Sequence, residues 1–292
     1  MLVSKCPVCG NDSFQLLHAC KDHVVSHETF SVVTCTKCGL GITQPQPEIN
    51  VIGKYYQSSE YISHTGKQQG LQGILYKTVR KYTLNRKRGL IQSFFKTGNI
   101  LDYGCGTGEF LATMKQSGWR TTGIEPSQQA RTKAENLLQQ RIHADFNTLP
   151  DELYNTITLW HVLEHVHNIS ETLSKLRSLL HPEGYMFIAI PNHQSLDAEI
   201  YQSYWAGYDV PRHLWHFTRE NMKPLLHNHQ LNLVTTLPMK FDAVYVSLLS
   251  EQYRNTSFLK RWLLALHFGL KSNRKAKNTG DYSSLIFVAQ PA

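Results

Sequence analysis

Cys6-Pro7-Val8-Cys9-Gly10 and Cys35-Thr36-Lys37-Cys38-Gly39 each bring two thiolates onto one knuckle, and the glycine that follows permits the tight turn. Together the knuckles make a closed tetrahedral set of sulfurs for zinc, from Cys6, Cys9, Cys35 and Cys38. Such a set leaves no position open for water. The ion is therefore expected to be structural, holding a ribbon too small to fold on a core of its own. A redox dithiol pair and cysteines without metal are the competing readings, and His18, Cys20, His23 and His27 are spare donors between the knuckles.

Ile100-Leu101-Asp102-Tyr103-Gly104-Cys105-Gly106-Thr107-Gly108-Glu109-Phe110 is an apolar run that ends in spaced glycines. It reads as a strand, a glycine-lined turn and the start of a helix, because glycine lets a backbone approach a ligand closely. Gly123-Ile124-Glu125-Pro126 follows, setting an acid about 20 residues on, where a nucleoside ribose needs one for its hydroxyl pair. A glycine turn without ligand is the plain alternative. Farther along, His161-Val162-Leu163-Glu164-His165-Val166-His167 gathers imidazoles around a carboxylate, and an aromatic insertion over residues 193–218 adds Arg212 and His213.

The elements that must hold these groups alternate. Residues 71–96 have helical apolar spacing with a basic outer face that includes Arg80 and Lys87. Strands are expected at residues 100–102, 121–124, 141–144, 155–160, 185–190, 231–236 and 283–289, with helices at 128–140 and 169–180 between them. This alternation predicts an α/β fold. Gln44-Pro45-Gln46-Pro47 breaks regular structure, which gives a ribbon over residues 1–43, a linker and helical cap over 44–98, and a main domain over 99–292. Near the end, Leu259, Trp262, Leu263, Leu266 and Leu270 recur at helical spacing among lysines and arginines. That helix either packs on its own domain or lies on an anionic membrane surface.

With 292 residues, 41% of them hydrophobic and 18% charged, the chain can bury a substantial core, and a disordered chain is excluded. It has no apolar run long enough to span a bilayer, and its start lacks the apolar core of a signal peptide, so a soluble, cytoplasmic protein is expected. The formal charge of +8 favours an anionic partner, whether nucleic acid, phosphorylated metabolite or membrane, or else simply a solvated basic surface.

Leu101-Asp102-Tyr103-Gly104-Cys105-Gly106-Thr107-Gly108, Gly123-Ile124-Glu125-Pro126-Ser127 and Trp160-His161-Val162-Leu163-Glu164-His165-Val166, in that order, resemble the class I S-adenosylmethionine-dependent methyltransferases. With the ribbon, the layout is similar to that of zinc-bearing deoxysugar C-methyltransferases. The resemblance implies a Rossmann-like, seven-stranded sheet with helices on both faces and an antiparallel last strand. It implies S-adenosylmethionine above the turn of Gly104, Cys105, Gly106 and Gly108, with the helix from Gly108 facing the methionine carboxylate. Asp102 would compensate the donor's amino group or sulfonium, Glu125 would take both ribose hydroxyls, and Pro126 would lie against the adenine. Asp145 and Phe146 would stand beside the adenine amino group, and His161 would line the cofactor. Asp145 also reads as a turn or cap residue, and Cys105 as a packing residue.

Donor and acceptor should meet at the end of the fourth strand. The donor sulfonium is already activated, so the protein mainly aligns an in-line displacement and removes a proton. His165 is the first choice for that base, with Glu164 orienting it or holding the acceptor, and His213 is the second; an architectural His165 is the alternative. Arg212 can hold an acceptor phosphate or carboxylate, and the aromatic insertion reads as a lid; the resemblance also implies that Tyr56 or Tyr61 closes over cofactor and substrate, with packing of the linker on the main domain as the alternative. The expected activity is methyl transfer to a small-molecule, anionic or sugar-like acceptor. The alternative is an RNA base methyltransferase whose ribbon and basic helices hold phosphates, although Trp160-His161-Val162-Leu163 lacks the Asn/Asp-Pro-Pro-Tyr/Phe group of exocyclic-amine methylation. A non-catalytic binding protein on the same fold is the third reading.

Overall fold

The structure, a computed structural model, describes residues 1–56 and 71–292; Tyr61 lies outside them. The chain begins with β1 (Phe14–Lys21), β2 (Thr29–Cys35) and β3 (Gly41–Gln44), and then enters the long helix α1 (Leu71–Phe94). Alternating units follow: β4 (Asn99–Tyr103), α2 (Glu109–Lys115), β5 (Arg120–Ile124), α3 (Gln128–Leu138), β6 (Tyr154–Trp160), α4 (Ile169–Leu179) and β7 (Leu180–Pro191). Beyond β7 come α5 (Leu196–Tyr201), β8 (Trp215–His216), α6 (Arg219–Asn228), β9 (Leu231–Pro238), α7 (Asp242–Tyr253), α8 (Phe258–Thr279) and β10 (Ser284–Pro291).

The main sheet is ordered β5-β4-β6-β7-β10-β9. Its strands β5, β4, β6 and β7 pair in parallel, and β10 runs antiparallel to both of its neighbours. Successive strand residues face opposite sides, which explains two separate cores. Ile100, Phe187 and Ile286 join α1, α2 and α3 in one, whereas Leu101, Ile188 and Phe287 join α4 and α6 in the other. Helices therefore cover both faces, as the alternation predicts.

The sheet has six strands among the described residues, not the expected seven. Residues 141–144 contribute a single parallel bridge, Ile124 with His143, because the chain turns away immediately afterwards. Asp145 makes that turn: its carboxylate accepts the backbone N–H of Asn147 at 2.8 Å and starts a short 3-10 helix.

The ribbon does not stand apart. Its sheet is ordered β1-β2-β3-β8, so its last strand comes from the insertion, with Gly41 opposite His216 and Ile42 opposite Trp215. Cys6, Val8, Leu40 and Ile42 share a continuous core with β6, β7 and α4. The insertion is a packed buttress and not the expected lid, since Tyr201, Trp205, Tyr208, Trp215 and Phe217 are all buried. Tyr201, Trp205 and Tyr208 pack directly on Cys20, Phe30 and Val32 of the ribbon.

Candidate functional site

Parallel register places Asp102 opposite Gly123 on one side and Thr158 on the other, so the carboxyl ends of β4, β5 and β6 converge. Gly104 begins the turn after β4 with φ +76°, a conformation that favours glycine, and a Cβ there would sit 2.5 Å from a Val162 methyl. The turn is thereby pressed against the start of the histidine segment. Cys105 packs its thiol against Gly123, and burial pushes that thiol's pKa up, which matches the packing reading.

Asp102 is 2% exposed and its Oδ1 accepts the Thr158 hydroxyl at 2.6 Å. Burial raises its pKa to about 7, against the Thr158 hydrogen bond and the Lys87 charge that favour ionisation. Such a carboxylate is stabilised by any cation brought beside it. Glu125, at the tip of β5, accepts the Gly106 N–H at 2.9 Å and the Ser127 N–H at 2.8 Å, one on each oxygen. Burial raises its pKa as well, opposed by those two hydrogen bonds. Each oxygen keeps a further lone pair for a hydroxyl. Pro126 follows it, with its carbonyl taken by Arg131, and Gly108 caps α2 in the left-handed conformation. Phe146 stacks on Tyr103 at 5.2 Å, while Asp145 is exposed and caps its own turn. The positive end of α2 already carries a match: Glu109 in its first turn accepts the Thr107 hydroxyl and pairs with Arg80.

Beyond β6, His161 has φ +58°, a strained conformation for a residue with a Cβ. Its Nδ1 lies 3.3 Å from Glu164 and its Nε2 lies 3.3 Å from Asp242, the first residue of α7. Loss of hydration lowers the His161 pKa, but the two carboxylates outweigh it and raise it to about 9. The stability that this charge contributes is complete below the ordinary imidazole value of about 6.5 and is lost as pH rises through the folded value. The unfolding temperature should therefore fall more between about pH 7 and about pH 10 in the parent protein than in His161→Gln. Equal falls would show that the bridge does not form.

Glu164 is fully buried, and beyond its ion pair with His161 neither carboxylate oxygen accepts a hydrogen bond among the described residues. Burial pushes its pKa up, yet His161 beside it holds it below the usual carboxylate range. One of its oxygens and a ring nitrogen from each of His165 and His213 lie within 4.8 Å of one another. His165 Nδ1 is 3.0 Å from the Arg212 carbonyl and 3.0 Å from the Tyr56 hydroxyl, and His213 Nδ1 is 2.9 Å from the Gly207 carbonyl. A carbonyl only accepts, so both rings carry a proton on Nδ1, and Nε2 is the nitrogen left to exchange a proton with a bound molecule. Burial, with His213 alongside, lowers the His165 pKa to about 4.

The structure thus brings Asp102, Glu125, His161, Glu164, His165 and His213 to one end of the sheet, with Tyr56 against His165. Arg212 is different. It is 1% exposed and its guanidinium is enclosed by Asp22, Asp209 and the Tyr55 carbonyl, so it ties the ribbon to the insertion and is not free for an acceptor anion. Two residues outside the expected set belong here. Lys87, assigned by its spacing to the outer face of α1, lies over the Trp160 ring at 4.3 Å, and burial lowers its pKa to about 8 against the pull of Asp102 and Asp242. Asp242 is the other, and no sequence motif surrounds it.

At the ribbon's tip, the sulfurs of Cys6, Cys9, Cys35 and Cys38 all lie within 4.8 Å of one another. Cys6 and Cys38 are 3.4 Å apart and Cys9 and Cys35 are 3.5 Å apart, near the roughly 3.8 Å that tetrahedral zinc–sulfur bonds impose. Asn11 directs its side-chain N–H at Cys35 Sγ, 3.5 Å, as partners of metal-bound sulfur do.

A family model described as a methyltransferase domain matches residues 76–236. A ubiquinone biosynthesis O-methyltransferase of Rhodopseudomonas palustris is 26% identical over 174 residues, 52% of this chain and 65% of that relative. Its namesake from Yersinia enterocolitica is 27% identical over 39% of this chain and 49% of its own length. The chain thus spans less than two-thirds of these relatives. Among solved structures, magnesium protoporphyrin IX methyltransferase of Synechocystis with bound S-adenosylhomocysteine superposes with a TM-score of 0.53 at 16% identity, over 82% of this chain and 99% of that one.

Proposed function

Since this chain belongs to the class I S-adenosylmethionine-dependent methyltransferases, we propose that it methylates a hydroxyl of a small-molecule acceptor. The observation that carries the reading is the pair of acids at adjoining strand tips. Asp102 is a buried carboxylate suited to a cation, and Glu125 beside it has lone pairs left for a ribose. These residues fit the donor, which supplies an electrophilic methyl group on a sulfonium. Asp102 would hold its amino group, Glu125 its ribose hydroxyls, and Phe146 the edge of its adenine.

The acceptor stands on the Glu164, His165 and His213 side. His213 takes its proton on Nε2, where Asp209 at 3.9 Å and the Glu164 carboxylate stabilise the resulting charge. His165, held neutral and hydrogen-bonded to Tyr56, shapes that position and is too weak a base for the proton itself. The cysteine cluster holds a structural zinc ion. The RNA reading leans on basic helices, but two of the cations of α1 are engaged internally: Lys87 with Trp160 and Arg80 with Glu109.

Calorimetric titration with S-adenosylmethionine and with S-adenosylhomocysteine tests the assignment. The parent protein should bind both, and Glu125→Ala should weaken each by about 10-fold to 100-fold through loss of a charge-assisted bidentate contact. A parent protein that binds neither ligand ends the reading.

A further inference from the structure

Helix α8 faces its own protein with small residues. Ala265, Gly269, Ser272 and Ala276 recur at steps of four, three and four and are buried, and Ser272 donates its hydroxyl to buried Asp197 at 2.6 Å. The helix meets α7 so closely that a Cβ on Gly269 would lie 2.7 Å from the Val244 Cα. Leu259, Leu263, Leu266 and Leu270 recur at the same steps on another face and are 77%, 70%, 51% and 55% exposed. Phe258 and Trp262 extend that exposed stripe. A helix that had only to cover its own core would turn such leucines inward, and a continuous exposed stripe of this kind marks an interaction surface.

Charge says what the partner is. Lys260, Arg261, Lys271, Arg274 and Lys277 stand on α8 together with Lys275, which pairs with Glu199 of α5 at 3.0 Å, and α8 itself contains no acidic residue. We propose that this face docks on an anionic lipid bilayer, with the leucines at the acyl boundary and the cations among lipid phosphates. A second copy of the chain is a poor occupant, because pairing the two stripes would bring both sets of cations together. Among the described residues no helix is long and apolar enough to cross a membrane, so α8 would lie on the surface. Docking goes beyond methyl transfer and does not depend on it. It does place the reaction near the bilayer, since α7, clamped to α8, starts at Asp242 against His161.

Flotation of the full chain with vesicles tests the inference. The protein should bind vesicles of equimolar phosphatidylcholine and phosphatidylglycerol at least about tenfold more tightly than phosphatidylcholine alone, and salt should release it. The double variants Leu263→Glu with Leu266→Glu, and Lys271→Glu with Arg274→Glu, should each weaken binding to the mixed vesicles at least about tenfold, with thermal unfolding and donor binding unchanged. Absence of parent-protein binding to the mixed vesicles, or binding unaltered in both variants, overturns the proposal. So does a dimer in light scattering that the leucine variant dissolves, because a second copy would then cover the stripe.

Discussion

His213→Ala should lower turnover by about 100-fold to 10,000-fold, the usual range for loss of a positioned general base, and leave donor affinity within about twofold. The split follows from the geometry. His213 contacts the Gly207 carbonyl and faces Asp209 and Glu164, on the side proposed for the acceptor, whereas the donor is proposed to bind at Asp102 and Glu125. His165→Ala is expected to cost less, because a ring whose pKa is lowered to about 4 accepts little proton density and acts through position. Release of S-adenosylhomocysteine with a panel of phenolic and alcoholic acceptors, together with donor titration, measures both. Near-normal turnover in His213→Ala would remove it as the base, and a matching loss of donor binding would reassign it to the cofactor.

Cys38→Ser should reduce bound zinc from about one per chain to a small residue and lower turnover by at least about 100-fold, although none of the four cysteines belongs to the proposed acceptor or donor site. The transmission is structural. Thr43 of β3 donates its hydroxyl to the His213 carbonyl at 2.7 Å and its N–H to the Leu214 carbonyl at 3.0 Å. Asn228 on α6 donates to the Val8 carbonyl of the first knuckle at 2.8 Å, and His193 reaches the Gly39 carbonyl of the second at 3.1 Å. Loss of the knuckles would release β3, then β8, then His213. Elemental analysis and amide exchange across β3 and β8 check this order; a zinc-free variant with protected β8 amides and full turnover would separate metal from site.

Much of this was written in local pattern. Asp102, Glu125 and the histidine segment announce themselves because a strand, its turn and the following helix are contiguous, and glycine spacing marks the turn directly. What was illegible depends on distant partners. Arg212 looks like an anion binder beside aromatics until Asp22, 190 positions away, closes on it. Lys87 reads as one more surface cation because nothing in α1 reveals that Trp160 will lie beneath its ammonium. Helix α7 has apolar residues all around it, Ala243, Val244, Val246, Leu248 and Leu249, so no stripe betrays it or the position of Asp242. The expected third strand fails for a local reason that competes with β-propensity, the cap made by Asp145.

The pairing of β3 with β8 also constrains the order of assembly. Gly41 emerges from the ribosome long before His216, so the nascent ribbon must wait, with one sheet edge uncovered, until β8 has been made. A metal captured early would keep that waiting edge in register, and the late arrival of Trp215 and His216 would be the slow, high contact-order step of folding.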